Sequence, residues 1–542
     1  MEFVWDLGFG YWDFVSREDG VKRLITGYVI RRNEYHDSVF LMRVARRISE
    51  QKGVRQAAAL MGTDKNKGLL AEIGIKGAEI DAAAPGDLIL GVIAESSEVL
   101  SPILGRVDAW LHFTGGSPSE SPVRTLEEGL ERQPHSNVAV ISVPGEHAAR
   151  EARRALERGL HVFLFSDHVP VKDELALKEY ARGRGLIVMG PDCGTAIIGG
   201  KGIGFANVVR RGPIGVIGAS GTGIQEFTTL VHRSGCGISH AIGTGSRDLS
   251  DEVGGISVLT ALAALESDPQ TKTIAILSKP PGRRALSALL PKIQNLSKPA
   301  VACFLGAPKS FLPEKPACRV ARTLDEAAIM AVELMEGRRP AAFPEEGCDW
   351  KAILRRERSA MKAGQKYVRG IFAGGTFCYQ SQQVLQEAGV VVHSNSPLEG
   401  NRKLPDAHRS LEHTLVDMGA DEFTAGRPHP MIDSSLRRER ISAEAQDPEV
   451  ALLLLDFILG FISSPDPAGE LAGAIAEAKN RARERGGYLS VVASICGTDE
   501  DPQNLAGQIR MLQEAGAVVL PSSAQAARFS ADLLQSIGGF HG

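Results

Sequence analysis

Two short glycine-rich turns carry the clearest chemistry in this 542-residue sequence. One reads Ile217-Gly-Ala-Ser-Gly-Thr-Gly223 and the other Ile371-Phe-Ala-Gly-Gly-Thr-Phe377. The first follows a strand-like run at 215–217 and opens a helix-like one with Ile224, Phe227 and Val231 on one face. Glycine lets a backbone approach a ligand closely. The first N–H groups of a helix have no intrahelical partner, so they point outward and attract anions. Ser220, Gly221, Thr222 and Gly223 in the first turn are therefore candidate contacts for a phosphate or carboxylate. Gly374, Gly375 and Thr376 are the candidates in the second. Neither turn has the G-x-x-x-x-G-K-[ST] spacing of a nucleotide loop or the G-x-G-x-x-G dinucleotide fingerprint. The plainer reading is a tight strand-to-helix turn with an ordinary cap, and recurrence in two places weighs against it. A charge-assisted hydrogen bond contributes about 1.5–3 kcal/mol, so one turn would hold an anion at roughly millimolar strength. Two such turns facing each other would hold a small dianion or an acyl phosphate more tightly.

Further candidates lie on other loops. A stretch at 399–440 holds His408, His413, Asp417, Asp421, Arg427, His429 and Asp433. Arg427 can clamp a carboxylate through its planar fork. His429 can move a proton near neutral pH. The alternative for both is a polar surface loop or a subunit contact. Asp417 and Asp433 are secondary candidates, and no ligand spacing in this stretch is diagnostic of a metal. Lys279, with Arg283 and Arg284, offers cations for a phosphate or a solvated turn. Cys193 beside a glycine turn can touch a substrate, although such a cysteine is more often a small buried residue.

These residues need elements to hold them. Residues 27–114 alternate between strand and helix signals and form a small α/β domain. Strands at 138–143, 162–165 and 186–189 alternate with helices, which predicts a parallel sheet over 137–210. Ligands of such sheets bind at the carboxyl ends of the strands. The rest is a duplication. Each copy opens on a glycine turn, continues through Asp-Pro (268–269 or 447–448) to an apolar strand, and ends on a small-residue helix. The copies span 211–340 and 367–540, the charged stretch 345–366 separates them, and 399–440 is an insertion in the second. Gly115–Pro122 reads as a linker. Residues 1–26 read as a leader, because their aromatic and acidic residues do not make a signal peptide.

Composition excludes several classes. The formal net charge is −4 with no long basic run, so nucleic acid is not an expected partner. No apolar run approaches the roughly 20 residues of a membrane helix. The seven cysteines are scattered without a C-x-x-C, which fits a reducing cytoplasm.

The segment Met189-Gly-Pro-Asp-Cys-Gly194, followed by Gly215-Val-Ile-Gly-Ala-Ser-Gly-Thr222, resembles the alpha subunit of succinyl-CoA synthetase over about 137–310. A closer resemblance is to the FdrA family. It rests on His36-Asp-Ser-Val39, Met61-Gly-Thr63, Gly190-Pro-Asp-Cys-Gly-Thr195, Arg247-Asp248-Leu249, Glu252-Val-Gly-Gly-Ile256, Ser278-Lys-Pro-Pro281 and Gly426-Arg-Pro-His-Pro-Met-Ile-Asp433. The resemblance implies α/β architecture with several parallel sheets: a Rossmann-like CoA-binding-type domain, then two flavodoxin-like domains. It adds Asp192 and Arg247 to the secondary candidates. It departs from succinyl-CoA synthetase where that enzyme has a glutamate and a phosphohistidine. Lys279 stands at the glutamate position, and no histidine occurs from 241 to 392. No ATP-grasp domain is recognisable. The resemblance thus implies a subunit of an oxamate carbamoyltransferase in purine catabolism, converting oxalurate and phosphate to oxamate and carbamoyl phosphate. Its substrate would be phosphate or carbamoyl phosphate, with CoA as a further candidate ligand. Its partners would be other subunits of a hetero-oligomer or a second copy. The rival readings are an NDP-forming acyl-CoA synthetase and a regulatory scaffold that kept the fold.

Overall fold

The computed structural model describes residues 24–36, 38–111, 123–307, 318–337, 349–424 and 427–538. Most of the leader and the Gly115–Pro122 linker lie outside them. The chain divides into two compact units, Met1–Glu128 with Ala425–Pro428, and Gly129–Thr424 with His429–Gly542.

The first unit holds strands β1 (Ile25–Arg31), β2 (Val54–Met61) and β3 (Leu88–Ala94). Their order is β1-β3-β2, and β3 runs antiparallel to both neighbours. The helix-linked strands β1 and β2 therefore run parallel but do not touch, because β3 lies between them. Alternating strand and helix signals do not produce a parallel sheet in this unit.

The second unit holds three sheets. The smallest is parallel, ordered β4 (Val138–Ile141), β5 (His161–Leu164), β6 (Val188–Met189). The next two strands leave it: β7 (Thr195–Ile198) and β8 (Lys201–Gly204) form an antiparallel hairpin on the edge of the first large sheet. The domain expected over 137–210 is thus split after Met189, its last residues completing a neighbour.

The first large sheet adds β9 (Arg211–Gly218), β10 (Ile238–Gly243), β11 (Thr273–Ser278), β12 (Ala300–Phe304) and β13 (Cys318–Ala321). Its order is β13-β12-β11-β9-β10-β7-β8. The second contains β14 (Tyr367–Phe372), β15 (His393–Ser394), β16 (Arg402–Lys403), β17 (Thr414–Asp417), β18 (Val450–Ile458), β19 (Ser490–Cys496) and β20 (Val518–Leu520). Its order is β16-β15-β17-β14-β18-β19-β20, and all its pairings are parallel. Five strands of each sheet share the doubly wound flavodoxin order, in which the central strand and its neighbours define a switch point at the carboxyl edge. All nine residues of β18 are buried, as expected of a leucine-rich strand covered on both faces.

The 399–440 stretch contains β16 and β17 as well as loops, so it is only partly an insertion. β17 fills the second-copy place that β10 fills in the first. The 345–366 separator also differs from expectation, since much of it is the helix Trp350–Ala360. Trp350 packs edge-on against Phe529 and donates to Asp532, 3.1 Å away. Buried Glu357 accepts from the Tyr488 hydroxyl at 2.9 Å and the Ser490 hydroxyl at 2.8 Å.

The two copies are joined by one apolar core, to which Phe227, Ala328, Phe377 and Phe529 all belong. The duplication shows in its hydrogen bonds. Glu226, in the helix Gly221–Arg233, accepts from Ser523 N at the start of the helix Ser523–Ser536, at 2.6 Å. At the equivalent position in the helix Gly375–Glu387, Gln380 accepts from Leu324 N at the start of the helix Leu324–Glu336, at 2.7 Å. Each copy therefore satisfies the open N–H groups of a helix in the other.

Candidate functional site

The first glycine turn joins the carboxyl end of β9 to the helix Gly221–Arg233. Ser220 is its cap, accepting from Gly223 N at 3.1 Å, the bond that fixes a serine-capped helix start. The second turn joins β14 to the helix Gly375–Glu387, where Gly374 caps without a side chain. The two helix starts meet: the hydroxyls of Ser220 and Thr376 are hydrogen-bonded to each other. A methyl group on Gly223 would come within 3.4 Å of the Thr376 methyl. Two positive helix ends thus converge on one place.

The surroundings of the turns differ. Behind the first, a methyl on Gly221 would meet the Thr195 hydroxyl at 3.1 Å. That hydroxyl donates to Phe205 O at 2.7 Å. Thr222 lies in the first turn of the helix and is half-buried. At the second turn two carboxylates of the protein stand close by. Asp456 accepts from Ala373 N at 2.8 Å and Gly374 N at 2.7 Å. It is held in turn by Arg437, whose guanidinium donates to Asp456 Oδ1 at 2.9 Å and to Ile371 O at 3.1 Å. Both members of this pair are buried. The other carboxylate is Asp417, the last residue of β17. Its Oδ2 would lie 2.5 Å from a methyl on Gly375, and its Oδ1 accepts from Gly419 N at 2.9 Å. Burial raises the Asp417 carboxyl to about 6, with the Lys279 cation opposing and Asp456 and Glu422 adding to the rise.

His429 is half-buried near Asp417. Its Nε2 would stand 2.8 Å from a methyl on Gly419, and Asp417 Oδ1 would stand 3.2 Å from the same methyl. Its ring lies 5.9 Å from that of Phe205. Its Nδ1 accepts from Met431 N at 3.2 Å, so the proton of the neutral ring is on Nε2. Withdrawal from water, helped by the Arg437 charge, lowers the imidazole to about 4. The expected role of His429 as a proton carrier near neutral pH does not fit this ring, which is a neutral N–H donor there.

Lys279, just past β11, is exposed and stands 4.6 Å from the centre of the Tyr379 ring on the second helix. Arg427 clusters with the first unit, not with the sheets that carry the turns, and is exposed. Asp433 stands one residue ahead of Ser434, the cap of the helix Ser435–Glu444, and accepts from Ser435 N at 2.8 Å. Arg247 bonds to Val169 O at 2.7 Å and pairs with buried Glu174 at 3.0 Å. Glu174 also accepts from buried Lys178, which reaches Asp248 as well. Arg247 is therefore part of an ionic clamp between the loop after β10 and the small sheet. Cys193 is buried, with its thiol pushed up to about 12 by that burial, which removes it as a thiolate nucleophile. Asp192 is exposed with φ of 55° and accepts from the Ser246 hydroxyl at 2.8 Å. Close by, His168 pairs with Asp167 at 3.0 Å and Asp421 at 3.4 Å, so this part of the carboxyl edge is acidic. His408 packs against Phe423 and His413 against Tyr367, each at the edge of a ring. The sequence reading missed Arg437 and Asp456. Asp456 lay inside a leucine run, and an aspartate breaking such a run is the signal that points to it.

Among the described residues, no group of three or more His, Cys, Asp or Glu can hold a metal. No helix among them is long and apolar enough to cross a membrane.

The family described as CoA-ligase matches residues 371–533, and the CoA binding domain matches 209–306, on the first large sheet. The family described as AllF, heavy metal-associated domain, matches 25–123. No cysteine precedes Cys193, so that domain has no thiolate to offer a metal. The chain is 42% identical over 500 residues to the uncharacterized protein YahF of Escherichia coli K12, covering 91% of this chain and 96% of YahF. It is 29% identical over 197 residues to the alpha subunit of ADP-forming succinate–CoA ligase from Staphylococcus epidermidis RP62A, covering 35% of this chain and 64% of that subunit. With the corresponding Methanothermobacter thermautotrophicus subunit it shares 31% over 177 residues, 32% of this chain and 58% of the subunit.

Proposed function

The chain belongs to the FdrA-like branch of the CoA-ligase superfamily, related to succinate–CoA ligase alpha subunits, and we propose that it transfers an acyl group to or from phosphate between its two helix starts. The observation that carries this reading is the Ser220–Thr376 contact, which brings two anion-attracting helix ends together in one chain. The phosphoryl group of an acyl phosphate would lie against Ser220, Gly221, Thr222 and Gly223 on one side and Gly375 and Thr376 on the other. Fixed donors at such a place stabilise the charge that develops as a carbonyl becomes tetrahedral. His429 Nε2–H is one such donor, and Lys279 supplies a cation at the rim.

Two acyl partners are in play. Family membership favours CoA, and Lys279, Arg283 and Arg284 at the end of β11 are the cations its phosphates would meet. Carbamoyl transfer from oxalurate is favoured by a different observation: no histidine lies between 241 and 392, so the chain has none there to carry a phosphoryl group from a nucleotide. The acidic edge around Asp167, Asp192 and Asp421 also suits a small substrate better than a polyphosphate. Other subunits would supply whatever nucleotide chemistry a CoA-ligase reaction requires.

The test is acyl phosphate formation from labelled inorganic phosphate, read by chromatographic separation of the labelled acyl phosphate from phosphate, with acetyl-CoA, succinyl-CoA or oxalurate as donor. Product with a CoA thioester supports the ligase-type reaction, and product with oxalurate alone supports carbamoyl transfer. No product with any donor, with partner subunits present, refutes the proposal.

A further inference from the structure

We infer that Asp417, rather than His429, is the group that carries the proton during acyl transfer, and that His429 serves as a fixed N–H donor beside it. This assignment rests on the acyl-transfer reading above. It stands first on geometry. Asp417 ends a strand at the carboxyl edge of the second sheet and lies against the first residue of the second glycine helix. One of its oxygens is held by Gly419 N at 2.9 Å. The other lies beside Gly375, where a phosphate on the helix start would arrive. His429 cannot share the task. Its Nδ1 is occupied as an acceptor of Met431 N, which leaves Nε2 as a donor only. Gly419 is what lets both groups converge, since a side chain there would strike His429 Nε2 at 2.8 Å, Ala373 O at 3.0 Å and Asp417 Oδ1 at 3.2 Å.

The charges around the two groups agree. Burial, aided by Asp456 and Glu422 and opposed by the Gly419 N hydrogen bond and the Lys279 cation, brings Asp417 to about 6, where a carboxyl both takes and gives a proton. Burial, with the Arg437 charge adding to it, lowers His429 to about 4. Two neighbouring groups pushed apart in this way divide into an acid–base and a donor.

The step balances. An oxygen of monohydrogen phosphate attacks the acyl carbonyl carbon, a C–O bond forms, and the carbonyl oxygen takes the electron pair. When the carbonyl re-forms, the bond to the leaving group X breaks and X takes a proton from Asp417. The proton lost by phosphate then restores Asp417. The products are the acyl phosphate and HX, with no net change in protons or electrons.

The experiment compares the full chain, with any partner subunits, as wild type, Asp417→Asn and His429→Gln, using inorganic phosphate with oxalurate or acetyl-CoA. Asparagine keeps the acceptor for Gly419 N, and circular dichroism checks the fold of each variant. Wild-type kcat should show a limb near pH 6, and Asp417→Asn should lose that limb and about 10²–10⁴-fold in kcat, with KM for phosphate little changed. His429→Gln keeps a side-chain N–H and should keep the limb. Nitrogen-15 spectra of His429 should show the Nε2–H tautomer throughout pH 5.5–8. The assignment is overturned if Asp417→Asn retains the limb, or if His429 titrates within that range. An inactive wild type defeats the acyl-transfer reading and this assignment together. An active wild type with an equally active Asp417→Asn defeats only the assignment.

Discussion

Adding one methyl group at equivalent places in the two glycine turns should have unequal consequences. At Gly221 the new carbon would lie 3.1 Å from the Thr195 hydroxyl, its nearest contact. A few tenths of an ångström of give relieves that, and alanine gains up to about 1 kcal/mol of helix propensity over glycine. Gly221→Ala should therefore be close to wild type in stability. At Gly375 the carbon would lie 2.5 Å from Asp417 Oδ2 and 3.2 Å from its Cγ. The carboxylate must swing away, at a cost of about 1–3 kcal/mol for overpacking. If phosphate bound at the two helix starts loses one charge-assisted hydrogen bond in consequence, about 1.5–3 kcal/mol goes with it. That is roughly a 10- to 150-fold weaker dissociation constant. Calorimetric titration of phosphate into wild type and both variants measures this, with circular dichroism confirming the fold. Equal affinities for all three proteins would show that neither helix start holds the anion. A large loss in Gly221→Ala with none in Gly375→Ala would reverse the roles given to the turns.

Arg437→Met should destabilise the second large sheet by about 3–5 kcal/mol, because Asp456 would be left buried without its cation. Arg437→Met with Asp456→Asn should recover part of that loss in urea unfolding. The Asp417 carboxyl is raised above its unfolded value, so the folded state binds more protons and stability from this group falls as pH rises from about 4 through 6. Asp417→Asn should therefore gain on wild type at pH 7.5 compared with pH 4.5. His429 is lowered, which has the opposite sign: its contribution is present above about 6.5 and is lost as pH falls through about 4. His429→Gln should flatten that acid loss in the same unfolding series. Cys193→Ala should leave acyl phosphate formation at the wild-type rate, since the buried thiol does not ionise at neutral pH.

Much of this architecture was legible because its signals are local. Glycine turns after apolar strands, and their recurrence at a fixed offset, gave both flavodoxin-like sheets and both helix starts. What stayed hidden depends on long-range packing. Thr414–Asp417 is only four residues long and sits in polar sequence, so it read as loop although it is a sheet strand. Its loss from view concealed why Asp417 reaches the helix start. Arg437 lies on a helix rich in charge, where nothing in the sequence marks it, yet it is buried against Asp456. Arg247 and Asp433 look like site residues by type, but the nearest partners put Arg247 in an ionic clamp and Asp433 in the turn ahead of a helix. No sequence pattern shows which nitrogen of His429 is occupied.

The docked helix Trp350–Ala360 bears on stoichiometry. Two glycine-turn modules on separate chains would have to find each other, and their pairing would fall apart on dilution. Here they are tethered, so each sees the other at an effective concentration on the order of millimolar or more whatever the cellular level. The helix is also pinned to the second module through Trp350 and Glu357. The two helix starts are thereby made in equal number and cannot exchange for those of a related protein.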